Sequence, residues 1–182
     1  RLRRANLYTK PTSPPPIYLA ASGPTAAEIA GRHCDGLLTL PLPEERYTDV
    51  LFPALERGAK SAGRDPNDIV KAIEVLVAYD EDYEKAVGTA RFWAAAIMPL
   101  AYKYEIIDPR EIERYGWFVG DKQLAKYWLI GTKPEDHIKH LERFIQMGFR
   151  DVHIESSSPD EIKTLRMYGD HVLPYLRSTY EE

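Results

Sequence analysis

The chain has 182 residues, 44% of them hydrophobic and 11% aromatic, and a net charge of −4. That is the balance of a soluble globular protein able to bury roughly 70% of its unfolded surface as a single domain over residues 1–182, and it lacks the basic face expected of a nucleic-acid binder. The single cysteine, Cys34, excludes an internal disulfide framework and fits a reducing cytoplasm, while no apolar run reaches the ~18 residues of a membrane span.

In chain order, residues 1–16 end in a proline cluster at Pro11, Pro14, Pro15 and Pro16 and read as a surface ribbon. Arg1, Arg3 and Arg4 are read as solvated. No signal peptide is visible, and a start at Arg1 is expected to be a cut end. Ile17–Ala21 is a short apolar run bounded by proline and glycine, the pattern of a strand buried on both faces. Ser22-Gly23 then turns the chain, and Pro24 and Thr25 open a helix, proline at its first turn and threonine as its cap. Ala26, Ala27, Ile29 and Ala30 give this helix a small inner face. Asp35-Gly36 turns into a second strand, Leu37–Thr39, completing a βαβ unit. Backbone amides of Ser22 and Gly23, at a strand's C-terminal end and a helix N-terminus, form a ready anion site. The alternative is that Gly-Pro merely ends a strand, since no multi-glycine fingerprint is present.

Leu40-Pro41-Leu42-Pro43 is a loop too proline-rich to extend the strand. Glu44 to Ser61 follows as a helix, with apolar residues at helical spacing and acids early. Ile69–Tyr79 is a third strand, rich in β-branched residues. Glu74 is its anomaly: a carboxylate in an apolar strand is paired, protonated or facing a polar cavity, which makes it a candidate pocket floor or a structural ion pair.

Residues 80–104 read as an Ala-rich helix broken near Pro99, and residues 106–129 as one or two short helices. Together they form a helical insertion over about 81–130, longer than an ordinary βα loop and placed where a barrel enzyme keeps a lid or substrate wall. Its aromatics are equally readable as a small core. A helix capped by Thr132, with Pro134 in its first turn, runs to Met147 and Gly148. Phe149–Glu155 is the fourth strand, with Val152 and Ile154 on one face and His153 and Glu155 on the other. A serine-rich turn, Ser156–Asp160, and two helical stretches, Glu161–Tyr168 and His171–Arg177, complete the chain.

The segments PPIYLAASGPTAAEIAGRHCDGLL, RFW, GTKPEDHIKHLERFIQMGFRDVHIE and DEIKTLRMYGDHVLPYLR resemble, in order, the luciferase-like superfamily of (β/α)8 barrels. Their order is most similar to the coenzyme F420-dependent glucose-6-phosphate dehydrogenases. The resemblance implies an α/β fold, the C-terminal half of a TIM barrel, strands five to eight. It implies a flavin or deazaflavin against the turn Ala20, Ala21, Ser22 and Gly23, with Thr39 as a further cofactor-binding residue. It places basic substrate residues near Lys163 and near Lys139 or His140; with Glu74 these make the substrate wall. The family's proton-transfer histidine and glutamate fall before Arg1, so no catalytic residue is expected within this chain. No metal is implied. The LPLP loop departs from the polar, basic loop of the sugar-phosphate enzymes and speaks against glucose 6-phosphate.

The function expected from these readings is the cofactor-binding half of an F420-dependent oxidoreductase, moving hydride between a small alcohol, aldehyde or lactol and the deazaflavin. The alternatives are an FMN-dependent monooxygenase of the same superfamily and a non-catalytic flavin-binding scaffold. A half barrel exposes two parallel edges and an inner face. The expected partner is the missing N-terminal half or a second copy in a homodimer.

Overall fold

The computed structural model describes residues 9–97, 103 and 106–180. Arg1, Arg3, Arg4 and the break near Pro99 lie outside the described residues. Five parallel strands form one sheet: β1 (Tyr18–Ala20), β2 (Gly36–Thr39), β3 (Val70–Tyr79), β4 (Trp128–Gly131) and β5 (Asp151–Ser156). β3 is its axis. It pairs with β2 through Val70–Ile73 and with β4 through Leu76–Tyr79, while β5 runs alongside Ala72–Val77. Residues 72 and 73 serve both β2 and β5, and residues 76 and 77 both β4 and β5. Because a strand has only two edges, β2 and β4 share one edge of β3 in tandem and β5 occupies the other.

The helices are α1 (Pro24–His33), α2 (Glu44–Arg46), α3 (Phe52–Ser61), α4 (Tyr83–Trp93), α5 (Pro109–Gly116), α6 (Asp121–Leu124), α7 (Pro134–Gln146), α8 (Glu161–Met167) and α9 (Leu173–Tyr180). Tyr47–Leu51 is a π-helical turn joining α2 to α3, and Tyr168–Val172 joins α8 to α9 in the same way.

Alternation along β3 separates two faces. Ile73, Val75, Val77 and Tyr79 enter the main core with residues of α1, α3, α7 and the end of α8. Ala78 and, less deeply, Leu76 point the other way, into a second core with Val87, Ala90, Ala94, Val119, Leu124 and Trp128. The stretch between β3 and β4 therefore covers the upper part of the face opposite the main helices. Lower on that face, Glu74 is half-buried and its cross-strand neighbour His153 is exposed.

Several expectations change. β1 is shorter than Ile17–Ala21 and is not buried on both faces, since Ile17 is 62% exposed and Ala20 is exposed; β1 has a sheet neighbour on one edge only among the described residues. The sheet has five strands where four were expected. β4, the four residues Trp-Leu-Ile-Gly, is too short to show a period and sits within an aromatic-rich stretch read as helical. Thr25 does not cap α1, whose N-cap is Gly23 with no side-chain hydrogen bond. Nor does Thr132 cap α7: the Asp136 carboxylate accepts the Thr132 and Lys133 N–H groups, each at 3.2 Å.

α1 and α3 meet through two glycines. A Cβ on Gly31 would lie 2.1 Å from the Leu55 carbonyl oxygen, and one on Gly58 would lie 2.0 Å from that of Glu28. Both obstacles are backbone, so neither yields without separating the helices. Gly31→Ala and Gly58→Ala are each expected to lower stability by about 1–3 kcal/mol or more, read as a drop in thermal midpoint, whereas Gly88→Ala, which meets no atom within 4 Å, should not.

Candidate functional site

A parallel sheet delivers all its strand C-termini to one rim, where loops meet free backbone groups and helix N-termini. Four rim segments concern function: Ser22-Gly23 after β1, Leu40–Pro43 after β2, Asp80 after β3 and Ser156–Asp160 at the end of β5.

At the first, the Ala21 N–H is held by the Leu38 carbonyl at 2.9 Å, but the Ser22 and Gly23 N–H groups have no partner among the described residues. Ser22 is exposed, and a Cβ built on Gly23 meets no atom within 4 Å, so open space lies above the turn. The α1 N-terminus is uncapped by any side chain, which leaves its positive dipole end unanswered. Arg46 adds a full positive charge there, its guanidinium donating to the Ser22 carbonyl at 3.1 Å.

The second segment is held from beneath. The fully buried Tyr47 hydroxyl donates to the Leu40 carbonyl at 2.9 Å and accepts the Leu42 N–H at 2.5 Å, and burial pushes its pKa up to about 12. Leu40 is 54% exposed on this loop.

At the third, Asp80 receives the Lys163 ammonium at 3.2 Å and the Asp82 N–H at 2.9 Å, the latter being the larger influence that holds its carboxyl below the usual range. Lys163 also lies 3.7 Å from Glu81 and over the Tyr79 ring, and its hydrogen bond to Asp80 raises its pKa. The fourth segment, with α4 and Trp117, walls a cavity of about 590 Å3, within the usual range for small-molecule sites.

The expected site residues are therefore dispersed. Ala20 is exposed beside Ser22 and Gly23, and Ala21 is buried with its amide used. Thr39 is 3% exposed. Its register with Ile73, a main-core residue, turns it to the helix-covered face. Glu74 is half-buried on the opposite face of the sheet and forms no ion pair within 4.0 Å among the described residues. It lines none of the four cavities described around the sheet. His140 borders a smaller cavity of about 170 Å3 between the LPLP loop and the start of β4, near Arg143 and Phe144; burial lowers its pKa. Lys163 lines a third cavity with Tyr79 and Arg166. Among the described residues no group of three or more His, Cys, Asp or Glu is placed to hold a metal ion, and no helix is long and apolar enough to cross a membrane.

Sequence reasoning missed Arg46, whose role depends on α2 returning to the first turn, and His137. His137 is fully buried, with Nδ1 2.8 Å from the Tyr168 hydroxyl and Nε2 beside Gly131 but making no well-formed hydrogen bond among the described residues. Its spacing to Leu141 and Phe144 was the available signal, since positions four and three apart share a helix face.

The chain matches the family described as Luciferase-like monooxygenase over residues 1–151. It is 35% identical over 179 residues to the F420-dependent glucose-6-phosphate dehydrogenase of Nakamurella multipartita, covering 98% of this chain and 53% of that one. With the enzyme of the same description from Microbacterium testaceum it shares 34% identity over 180 residues, 98% of this chain and 54% of that one. The chain thus spans about half the length of the curated relatives it matches. Among solved structures it superposes on an F420-dependent secondary alcohol dehydrogenase in complex with an F420-acetone adduct, with TM-score 0.80, 32% identity and coverage of 93% and 52%. The coenzyme F420 dependent tetrahydromethanopterin reductase of Methanopyrus kandleri shares the fold, with TM-score 0.72, 23% identity and coverage of 88% and 50%.

Burial depresses the His137 pKa from 6.5 to about 4, partly offset by the Gly131 backbone and the Asp136 charge. The unfolded chain therefore binds the extra proton between those values and the folded chain does not. Stability is expected to be intact near pH 7 and to fall by about 2 kcal/mol as pH drops to 5. Urea unfolding at the two pH values measures it, and His137→Gln should flatten the difference.

Proposed function

The chain belongs to the luciferase-like monooxygenase family, and we propose that it is the cofactor-cradling half of an F420-dependent oxidoreductase. In this reading β1, β2, β3 and β5 are strands five to eight of a (β/α)8 barrel, and β4 is a local strand closing the helical insertion. The observation that carries it is the turn at Ser22-Gly23, where unspent amides, an uncapped helix N-terminus and the Arg46 guanidinium converge on open space at the rim.

That donor set fits the phosphate-bearing tail of coenzyme F420, because amides, dipole and arginine all favour an anion and none has an anionic partner among the described residues. When bound, the cofactor supplies a carbon that accepts or gives hydride, exchanged with an alcohol, aldehyde or lactol. The chain's own groups position and exclude water. Tyr47 fixes the apolar LPLP loop against the rim, and the Asp80–Lys163 pair ties the end of β3 to α8. The description of the family supports a second reading, an FMN-dependent monooxygenase; a yellow flavin spectrum on the purified protein would favour it.

β1 and β5 each have one sheet partner among the described residues, and the face bearing Glu74, His153 and Glu155 is only partly covered. These surfaces fit the other half of a barrel, supplied by a further segment or by a second copy of the chain.

Two measurements test the reading. Titration with F420, followed by cofactor fluorescence, should show binding that Ser22→Pro and Arg46→Ala each weaken by about tenfold or more, consistent with loss of a charge-assisted contact; binding unchanged in both variants would defeat the assignment. Native mass spectrometry of the 182-residue chain should show it associated with a complementary segment or a second copy, and a stable lone monomer would remove the half-barrel reading.

A further inference from the structure

The large cavity at the ends of β3 and β5 carries information about the substrate, an inference that rests on the oxidoreductase reading above. One wall is aromatic: Phe92, Trp93 and Trp117 are 49%, 51% and 54% exposed, with Phe92 and Trp93 edge to face at 5.5 Å.

The facing wall is serine-rich, as a sugar-binding site would be, but its polar groups are already engaged. The Ser157 hydroxyl donates to the Val77 carbonyl at 3.0 Å and accepts the Trp128 indole N–H at 3.2 Å. That of Ser156 donates to Thr164 at 3.4 Å and accepts the Ser158 N–H at 3.2 Å. That of Ser158 donates to the Asp160 carbonyl and accepts the Asp160 N–H, both at 3.3 Å. A ligand meets three hydroxyls whose single donors are spent within the protein and which each keep at most one acceptor lone pair, and exchanging these internal bonds for a substrate's hydroxyls yields little net energy.

Charge points the same way. Among the described residues Asp80, Asp160 and Glu161 border the cavity with one lysine, Lys85, while Lys163 is turned to Asp80 and Glu81 in the neighbouring cavity. Among the described residues a phosphate here meets more carboxylate than ammonium, even with Asp80 paired to Lys163.

We propose that this cavity receives the body of the substrate, and that the substrate is an uncharged alcohol or carbonyl compound with an aromatic or branched apolar group, not a sugar phosphate. In the oxidation direction the carbinol C–H bond breaks and its hydride passes to the deazaflavin. The hydroxyl proton leaves to solvent, and the carbon–oxygen bond becomes double. Trp93 and Trp117 determine specificity by contact with the apolar group.

The test uses the purified protein and two probes, 1-phenylethanol and glucose 6-phosphate, each titrated calorimetrically without cofactor and then assayed for F420 reduction. Saturable binding of 1-phenylethanol is expected, weakened about tenfold by Trp93→Ala or Trp117→Ala and retained in Trp93→Phe, with no binding of glucose 6-phosphate. Preferential binding or oxidation of glucose 6-phosphate overturns the proposal and leaves the F420 reading standing. Saturable binding of 1-phenylethanol that depends on the two tryptophans, in a protein that does not bind F420, keeps the ligand class and removes the enzyme reading. Absence of saturable binding of 1-phenylethanol by the folded wild-type protein also overturns it.

Discussion

The two hydrogen-bonding edges of β3 are the constraint on which the structure depends. One edge carries β2 as far as Ile73 and β4 from Leu76 onward; the other is occupied by β5 across Ala72–Val77. An edge filled by two short strands in tandem has a junction, and the small cavity bordered by Val75, the LPLP loop and His140 lies at it. The same arrangement brings the exits of β3 and β5 side by side, so that Asp80 and Ser156–Asp160 share one cavity. The rim features after β2 and β5 follow from which edge of β3 each strand took, and the turn after β1 from its pairing with β2.

Much of this was legible in the sequence wherever a local rule sufficed. The βαβ opening, the helical stretch from Glu44 to Ser61 and the alternation of Val152 and Ile154 against His153 and Glu155 depend on periodicity and turn residues, which act over a few positions. The relatives and the fold comparison agree with the family resemblance in the ordered segments. What the sequence hid are contacts between distant residues. Arg46 reaches Ser22 only because α2 folds back across the rim. The α1–α3 contact places Gly31 and Gly58 opposite carbonyls of the other helix, whereas on paper each reads as a mild helix weakener. Thr39 stands one residue before an exposed leucine, but the strand period turns it to the buried face.

Two polar elements illustrate how burial is reconciled with chemistry here. Tyr47 is fully buried, yet its hydroxyl is satisfied twice by the backbone of the LPLP loop, so the tyrosine fixes a loop that has little regular hydrogen bonding of its own. His137 is the opposite case, with one nitrogen partnered and the other making no well-formed hydrogen bond among the described residues. Its neutral form is the only one that this environment tolerates at neutral pH, which makes it a core residue sensitive to acid.

The rim finally shows why composition is a poor guide to a polar site. Ser22-Gly23 and Ser156-Ser157-Ser158 both follow strands and both precede helices, and on paper each is an amide-rich turn suited to a ligand. At the first, the helix N-cap is a glycine with no side chain to turn inward, and the amides of Ser22 and Gly23 stay unpaired among the described residues. At the second, Asp160 caps α8 through the Lys163 N–H at 3.0 Å, the Ser157 N–H bonds the Val77 carbonyl at 2.9 Å, and the Ser156 and Ser158 hydroxyls accept the N–H groups of Ser158 and Asp160. Capacity for an external partner is what remains after internal partners are served. By that measure the turn after β1 has spare donors suited to an anion, and the turn after β5 offers chiefly shape beside aromatic rings. One rim thus carries a turn with donors left over for an anion and a second turn whose donors are used internally beside aromatic rings and carboxylates.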